Sequence, residues 1–222
     1  MPELNQLTNN LDELYQAAEV AKPEFFELVE RIAQITGGQA VIAPLKNRER
    51  AEAKIADEYA GNAAAIKDIL RASIHYKSLK QIYQGLEHLK AEGAEVLLLK
   101  DRFLHPTRSG YRDALVNIRT PNRFIAELQL HLEQILVAKQ QGHKYYEQEQ
   151  ELSRRSKLEN RKLTPEESYQ IEAIRAKQKE LYEAAFLQAQ DGLPRSSTDL
   201  SGSSAPSDWT GHIDQKLVSG SE

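Results

Sequence analysis

The sequence predicts an α+β fold: a mixed β-sheet core flanked by helices, with helical extensions before and after it. Three observations predict it. Between residue 39 and about residue 150, short β-branched runs alternate with stretches of helical periodicity, whereas the chain on either side carries helical periodicity alone. A length of 222 residues with 40% hydrophobic content suffices for one compact core plus an appendage. Finally, residues 192–222 are rich in Ser, Gly and Pro with few apolar side chains, which predicts a disordered tail. The expected division is therefore 1–38 N-terminal helices, 39–150 core, 151–191 C-terminal helical extension and 192–222 tail.

The elements follow in order. Leu11, Leu14, Tyr15 and Ala18 recur at helical spacing, and Pro23 suits the first position of a second helix presenting Phe26, Leu28, Val29, Ile32 and Ile35 before a Gly37-Gly38 stop. A short strand is expected over 39–44, then a charged helix over 47–59 capped by Gly61. Residues 68–76 have β-branched, alternating character, so Asp68 would open a strand. Ser78 would cap a helix whose stripe is Leu79, Ile82, Tyr83, Leu86 and Leu89. A strand over 95–100 follows, then two strands over 112–119 and 124–130 joined by Thr120-Pro121-Asn122-Arg123 as a hairpin. A long helix begins near Leu132. Another starts at Thr164-Pro165-Glu166-Glu167, a capping-box pattern, and carries Tyr169, Ile171, Ile174, Leu181, Ala185 and Leu187 on one face.

Composition excludes several chemistries. Without cysteine there is no disulfide, no thiolate metal site and no cysteine nucleophile. The six histidines show no paired helical spacing, which argues against zinc, and there is neither a Gly-rich phosphate loop nor a nucleophile-elbow serine. A formal charge of −4 argues against a surface that is basic throughout, so any anion site must be local. No apolar run is long enough to span a bilayer, and the start of the chain has no secretion signal, so action in the cytoplasm is expected.

Two constellations carry chemistry. Lys46, Arg50 and Lys54 stand at i, i+4 spacing, so they share one helix face, where like charges repel unless a polyphosphate or neighbouring acids relieve them. From spacing alone a solvated face relieved by Glu49 and Glu52 is the plainer account. Asp68 and Glu127 lie on separate strands, and alternation puts Glu127, Gln129 and His131 on the face opposite Ala126, Leu128 and Leu130. Two carboxylates and phosphate oxygens suit Mg²⁺, although a wetted sheet face gives the same alternation. Gly110-Tyr111 permits a close backbone approach beside an aromatic that either stacks on a base or fills a gap.

Taken in order, these pieces resemble the synthetase domain of the RelA/SpoT family, a nucleotidyltransferase-like fold. The resemblance runs over roughly residues 40–150. It rests on Leu45-Lys46 with Arg50 and Lys54, on Asp68-Ile69-Leu70, on Lys100-Asp101, Pro106 and Gly110-Tyr111-Arg112, on Glu127-Leu128-Gln129, and on His143 with Tyr146. It implies that Lys46, Arg50 and Lys54 bind ATP phosphates, that Asp68 and Glu127 organise Mg²⁺, and that Glu127 helps activate the acceptor hydroxyl. Tyr111 would stack on the acceptor base, with Gln129 and His143 lining its pocket or lying just behind. Three departures stand out: Ser73 occupies an arginine position, Asp113 and Leu115 replace Ser and His, and His131-Leu132 replaces Arg-Thr.

The activity so implied is ATP-dependent pyrophosphate transfer to a hydroxyl of a nucleotide or RNA acceptor, GDP or GTP, an adenine nucleotide or tRNA. No histidine precedes His75, so an opposing hydrolase unit is not expected in this stretch, and an unopposed synthetase would inhibit growth as a toxin. A neutralising or self-associating protein partner would use the C-terminal helix. The rival readings are a catalytically silent nucleotide-binding or protein-interaction module and a basic-groove RNA binder, the last weakened by the net negative charge.

Overall fold

The computed structural model describes residues 4–191, so the tail expected over 192–222 lies outside the described residues. Five strands form one mixed sheet: β1 (Gln39–Ile42), β2 (Arg71–Tyr76), β3 (Glu95–Asp101), β4 (Ala114–Arg119) and β5 (Ile125–Leu132), in spatial order β1-β2-β5-β4-β3. The β2–β5 pair is parallel and the others are antiparallel. The parallel pair brings the middle of the chain against a strand some fifty residues later, and it places the site.

One sheet face is apolar and covered. Ala72, Ile74 and Tyr76 of β2, Val116 and Ile118 of β4, and Ala126, Leu128 and Leu130 of β5 are buried there. Helix α1 (Leu11–Thr36) and α3 (Leu79–Ala91) pack on that side. The expected hairpin forms, with Thr120 N donating to Phe124 O. Ser78 caps α3 as expected, accepting from Gln81 N at 3.3 Å. Gly85 of α3 sits where an added Cβ would lie 2.6 Å from the Tyr76 hydroxyl, so no larger residue fits between helix and sheet.

Several boundaries differ from the sequence reading. The first two expected helices are one, with Pro23 inside it. Leu14, Ala18, Ala21, Phe25, Val29 and Ile32 form one buried stripe in phase across the proline, and that burial offsets the roughly 3 kcal/mol a helix-interior proline costs. Ile35, expected on that stripe, is half exposed. Helix α2 (Arg48–Tyr59) is closed by Ala60 in the left-handed region at φ 50°, one residue before Gly61. Asp68 does not open β2. It precedes the strand by three residues, in a loop pinned by Lys46 N to Ile69 O (2.9 Å) and Glu127 N to Leu70 O (3.0 Å).

The long helix expected after Leu132 is divided at Gly142 into α4 (Glu133–Gln141) and α5 (His143–Leu158). Helix α6 (Pro165–Asp191) begins with the expected reciprocal cap, Glu167 N to Thr164 Oγ1 at 3.1 Å and Thr164 N to Glu167 Oε2 at 2.9 Å. Its buried face is Ile171, Gln178, Tyr182, Ala185 and Ala189, while Tyr169 and Leu187 are exposed. This face is used within the chain, against α4, α5 and the segment after β3. Among the described residues no helix is long and apolar enough to cross a membrane.

Candidate active site

The polar side of the sheet holds the candidate chemistry, and it has two halves. The first half is built where α2 meets the loop before β2. Asn47 caps α2 by accepting from Arg50 N, and Tyr15 of α1 donates to Lys46 O at 2.5 Å, so Lys46 is fixed at the helix entrance. Lys46 Nζ and Lys54 Nζ both donate to Asp68 Oδ2, at 3.0 and 2.9 Å. The two lysines thus converge on one carboxylate, while Arg50 stays exposed on α2 and does not join them.

Burial pushes the Asp68 carboxyl up, but hydrogen bonds and charge from Lys54 and Lys46 outweigh it and hold it below its ordinary value. Lys54 loses to burial and gains more from Asp68, so its ammonium is held above its ordinary value. Asp68 Oδ1 is buried and has no hydrogen-bond partner, an orphaned carboxylate oxygen of the kind a cation would satisfy. Asn117 Nδ2, from the residue in register with Glu127, is also buried and unpartnered.

Glu127 stands on β5 between Arg71 of β2 and Asn117 of β4 in the sheet register. Burial raises its carboxyl pKa, the nearby Asp68 charge raises it further, and the hydrogen bond from Gln129 works against both. A carboxylate so placed holds a proton more readily than an exposed one, as a base receiving a hydroxyl proton must. The donor set suits Mg²⁺ shared with phosphate oxygens: two carboxylates, one with a bare buried oxygen.

The second half lies between the segment after β3 and α4–α6. Asp101 is buried, accepting from Tyr83 Oη (3.0 Å), Phe103 N (2.9 Å) and Leu104 N (3.2 Å), and so shapes the start of that segment. Asp113 is buried against Arg102 at 2.7 Å. Gly110 has φ 81°, and a Cβ there would come within 3.0 Å of Lys179 Cα, so the segment and α6 meet backbone to backbone. Tyr111 meets Tyr182 edge on at 5.4 Å and has Lys139 Nζ over its ring at 5.2 Å. Phe186 stacks on Phe103 and takes the Arg112 guanidinium over its face at 4.3 Å.

A cavity of about 530 Å³ opens here, and Tyr111 and His143, both expected on the acceptor side, line it with Arg108, Lys139, Arg175 and Gln178. His143 itself is largely exposed, stacked on Tyr146 and within 3.3 Å of Glu147. Gln129 sits deeper and donates to Glu127 Oε1 at 2.6 Å. The structure therefore gathers Lys46, Lys54 and Asp68 in one cluster, Glu127 with Gln129 beside it, and Tyr111 with His143 at the cavity. Sequence reasoning did not assign roles to Arg71, Arg102 or His131, and it offered α6 to a protein partner and not to this cavity. Strand alternation alone had placed His131 on the Glu127 face, whereas nothing local signals that α6 folds onto Tyr111.

No protein-family model matches this chain. Among curated proteins it is similar to the (p)ppApp synthetase toxin Tas1 of Pseudomonas aeruginosa strain UCBPP-PA14, with 28% identity over 162 residues, 61% of this chain and 36% of that protein. The chain therefore corresponds to about a third of that relative's length. Among solved structures it is similar to the type VI effector Tas1 in complex with its immunity protein, with TM-score 0.62 and 25% identity over 81% of this chain and 98% of that one. It also shares its fold with small alarmone synthetase 2 from Bacillus subtilis, with TM-score 0.57 and 21% identity over 81% of this chain and 94% of that one.

Proposed function

On the premise that this chain is a RelA/SpoT-like synthetase domain whose sequence kinship is with a toxin, we propose that it is an ATP-dependent pyrophosphokinase acting on a nucleotide hydroxyl. The observation that carries this reading is Asp68, with one oxygen held by Lys46 and Lys54 and the other buried without a partner, in a site shared with Glu127. Lys46 and Lys54 exchange Asp68 for ATP phosphates, and Arg50 reaches the outermost of them from the exposed face of α2. Asp68 and Glu127 would hold a magnesium ion, which when bound would offset phosphate charge.

The acceptor lies in the cavity beside Tyr111, with Arg108 and Lys139 available for its own phosphates, Arg175 joining them only by exchanging its 2.7 Å pair with Glu149, and His143 at the rim. For its base to stack on Tyr111, the Lys139 ammonium must leave the ring. The acceptor oxygen then attacks the β-phosphorus of ATP, its proton passes to Glu127, the bond between the β-phosphorus and the α,β-bridging oxygen breaks, and AMP departs. Positioning and charge neutralisation do most of this work.

Among acceptors, an adenine nucleotide is favoured by the kinship with a (p)ppApp synthetase toxin. A toxin of this class acts in the cytoplasm of the cell it reaches, where ATP is found, and the cell that makes it needs a neutralising protein. The test uses the purified chain with Mg²⁺ and γ-labelled ATP against GDP, GTP, adenine nucleotides and total tRNA, following label and AMP together. Label on an adenine nucleotide with equal AMP release is expected. Silence across the panel with ATP binding intact would leave a nucleotide-binding module in place of an enzyme.

A further inference from the structure

His131 has no part in the reaction just described, yet it is 4% exposed and hydrogen-bonded on both ring nitrogens. Along the polar face of β5, Gln129 Nε2 lies 2.6 Å from Glu127 Oε1, Gln129 Oε1 lies 3.1 Å from His131 Nε2, and His131 Nδ1 lies 3.3 Å from the Tyr111 hydroxyl. The directions of these bonds are fixed in sequence. An ionised carboxylate only accepts, so Gln129 turns its amide N–H to Glu127 and its carbonyl oxygen to His131. That oxygen also only accepts, so His131 Nε2 carries the hydrogen. Nδ1 is then bare, and the Tyr111 hydroxyl donates to it.

We propose that His131 is a positioning residue that, through Gln129, ties the Tyr111 hydroxyl of the acceptor segment to the carboxylate of Glu127. The inference rests on the pyrophosphokinase reading for the roles of the two ends, but the chain of bonds stands on the geometry alone. It couples two elements that sequence separates: the segment that presents the acceptor and the strand that presents the base. A shift of Tyr111 turns the imidazole, the imidazole turns the amide, and the amide sets which way Glu127 faces. Side chains that act in this manner hold reacting groups within the few tenths of an ångström that an in-line attack tolerates.

The surroundings keep the imidazole in the state the chain needs. Burial, followed by Lys139 from α4, His75 from β2 and Arg102 from the turn after β3, pushes its pKa down to about 3, so it is neutral wherever the enzyme would work. Asp113, paired with Arg102, is the one competitor for the Tyr111 proton, since its carboxyl also interacts with that hydroxyl. Were Tyr111 to donate there, Gln129 would still hold the hydrogen on His131 Nε2, and Nδ1 would face the tyrosine oxygen with no hydrogen between them. The response of Nδ1 to loss of the Tyr111 hydroxyl therefore decides between the two arrangements.

The test has two arms on the full chain. In ¹⁵N-histidine-labelled protein without nucleotide, His131, identified by loss of its signals in His131→Asn, should be neutral with hydrogen on Nε2 from pH 7.5 down to pH 5. Its Nδ1 shift should move in Tyr111→Phe. Hydrogen on Nδ1, a charged ring at pH 5, or an Nδ1 shift indifferent to Tyr111→Phe would overturn the chain, whatever the activity.

In the transfer assay, Tyr111→Phe and His131→Asn should each lower kcat about tenfold with acceptor KM within about twofold, and the double variant should be no worse than either. Multiplying losses, or a loss confined to KM, would overturn the positioning role. Tyr111→Phe removes only a hydroxyl, so it decides the matter even where His131→Asn melts early. A wild type silent on every acceptor would refute the pyrophosphokinase reading and the positioning role with it, while the nitrogen shifts still report whether the chain of bonds exists.

Discussion

The two halves of the candidate site are built by opposite means. Around Asp68 the fold gathers charge: two ammonium groups converge at about 3 Å on one carboxylate and leave a net positive charge, so polyphosphate can exchange with a group already paired. Around Tyr111 the fold gathers packing: aromatic rings from α6, a glycine that lets two backbones touch, and buried Asp101 and Asp113 hold a cavity whose shape is set by distant parts of the chain. The first half can change partners without moving the backbone, and the second cannot change shape without undoing α6. On the proposed reading, the donor half is tuned by charge and the acceptor half by tertiary structure.

That contrast can be broken at several points. Glu127→Gln, at the junction of the halves, should cut turnover about a thousandfold while ATP binding and the melting temperature hold, read by AMP release beside a thermal melt. Retained turnover would remove Glu127 from its role. On the donor side, Lys54→Met should lower kcat/KM for ATP on the order of a hundredfold, the scale of one charge-assisted bond to phosphate, and leave acceptor KM alone.

The same substitution should alter the acid limb of stability. Asp68 is held below its unfolded value, so its contribution is complete above about pH 3.8 and is lost as pH falls through the folded pKa. Removing Lys54 takes away one of the two bonds that lower it, so acid unfolding should begin at higher pH, which denaturant melts across pH 2–5 would register.

On the acceptor side the expected signature reverses. Tyr182→Ala should cost about 3 kcal/mol of stability and raise acceptor KM, with ATP KM nearly unchanged, because the ring that walls Tyr111 is gone but the lysine cluster is not. Equal damage to both KM values would show that the halves are not separately built. The smallest effect belongs to a site in neither half. Ser78→Ala removes the cap of α3 and should cost about 1 kcal/mol in chemical denaturation while both KM values stay put.

The same division explains what could be foreseen from the amino acids. Signals confined to a few residues read correctly: Ser78 and Thr164 as caps, the 120–123 hairpin, the Gly37 stop, and the alternation that puts Glu127, Gln129 and His131 on one face. Pro23 misled because its local cost is outweighed by a stripe visible only over the whole helix. Lys46 and Lys54 were legible as a pair at helical spacing, yet their meeting with Asp68 depends on how the loop before β2 is pinned, and Arg50 of the same series is left outside.

The face of α6 was misjudged for a related reason. Ile171 and Ala185 are buried as expected, but Tyr169 and Leu187 are exposed, and the face is completed by Gln178 and by Tyr182, whose ring meets Tyr111 far back in the chain. Nothing within that helix specifies that contact.

That long reach has a consequence in time as well as space. Synthesis delivers the lysine cluster, Asp68 and Glu127 well before α6, and the wall of the acceptor cavity is among the last described parts to leave the ribosome. A chain still being made can gather its charged half while its aromatic half stands open. The two halves of the candidate site are therefore completed at different moments, the second only with the docking of a single helix made after every residue of the first.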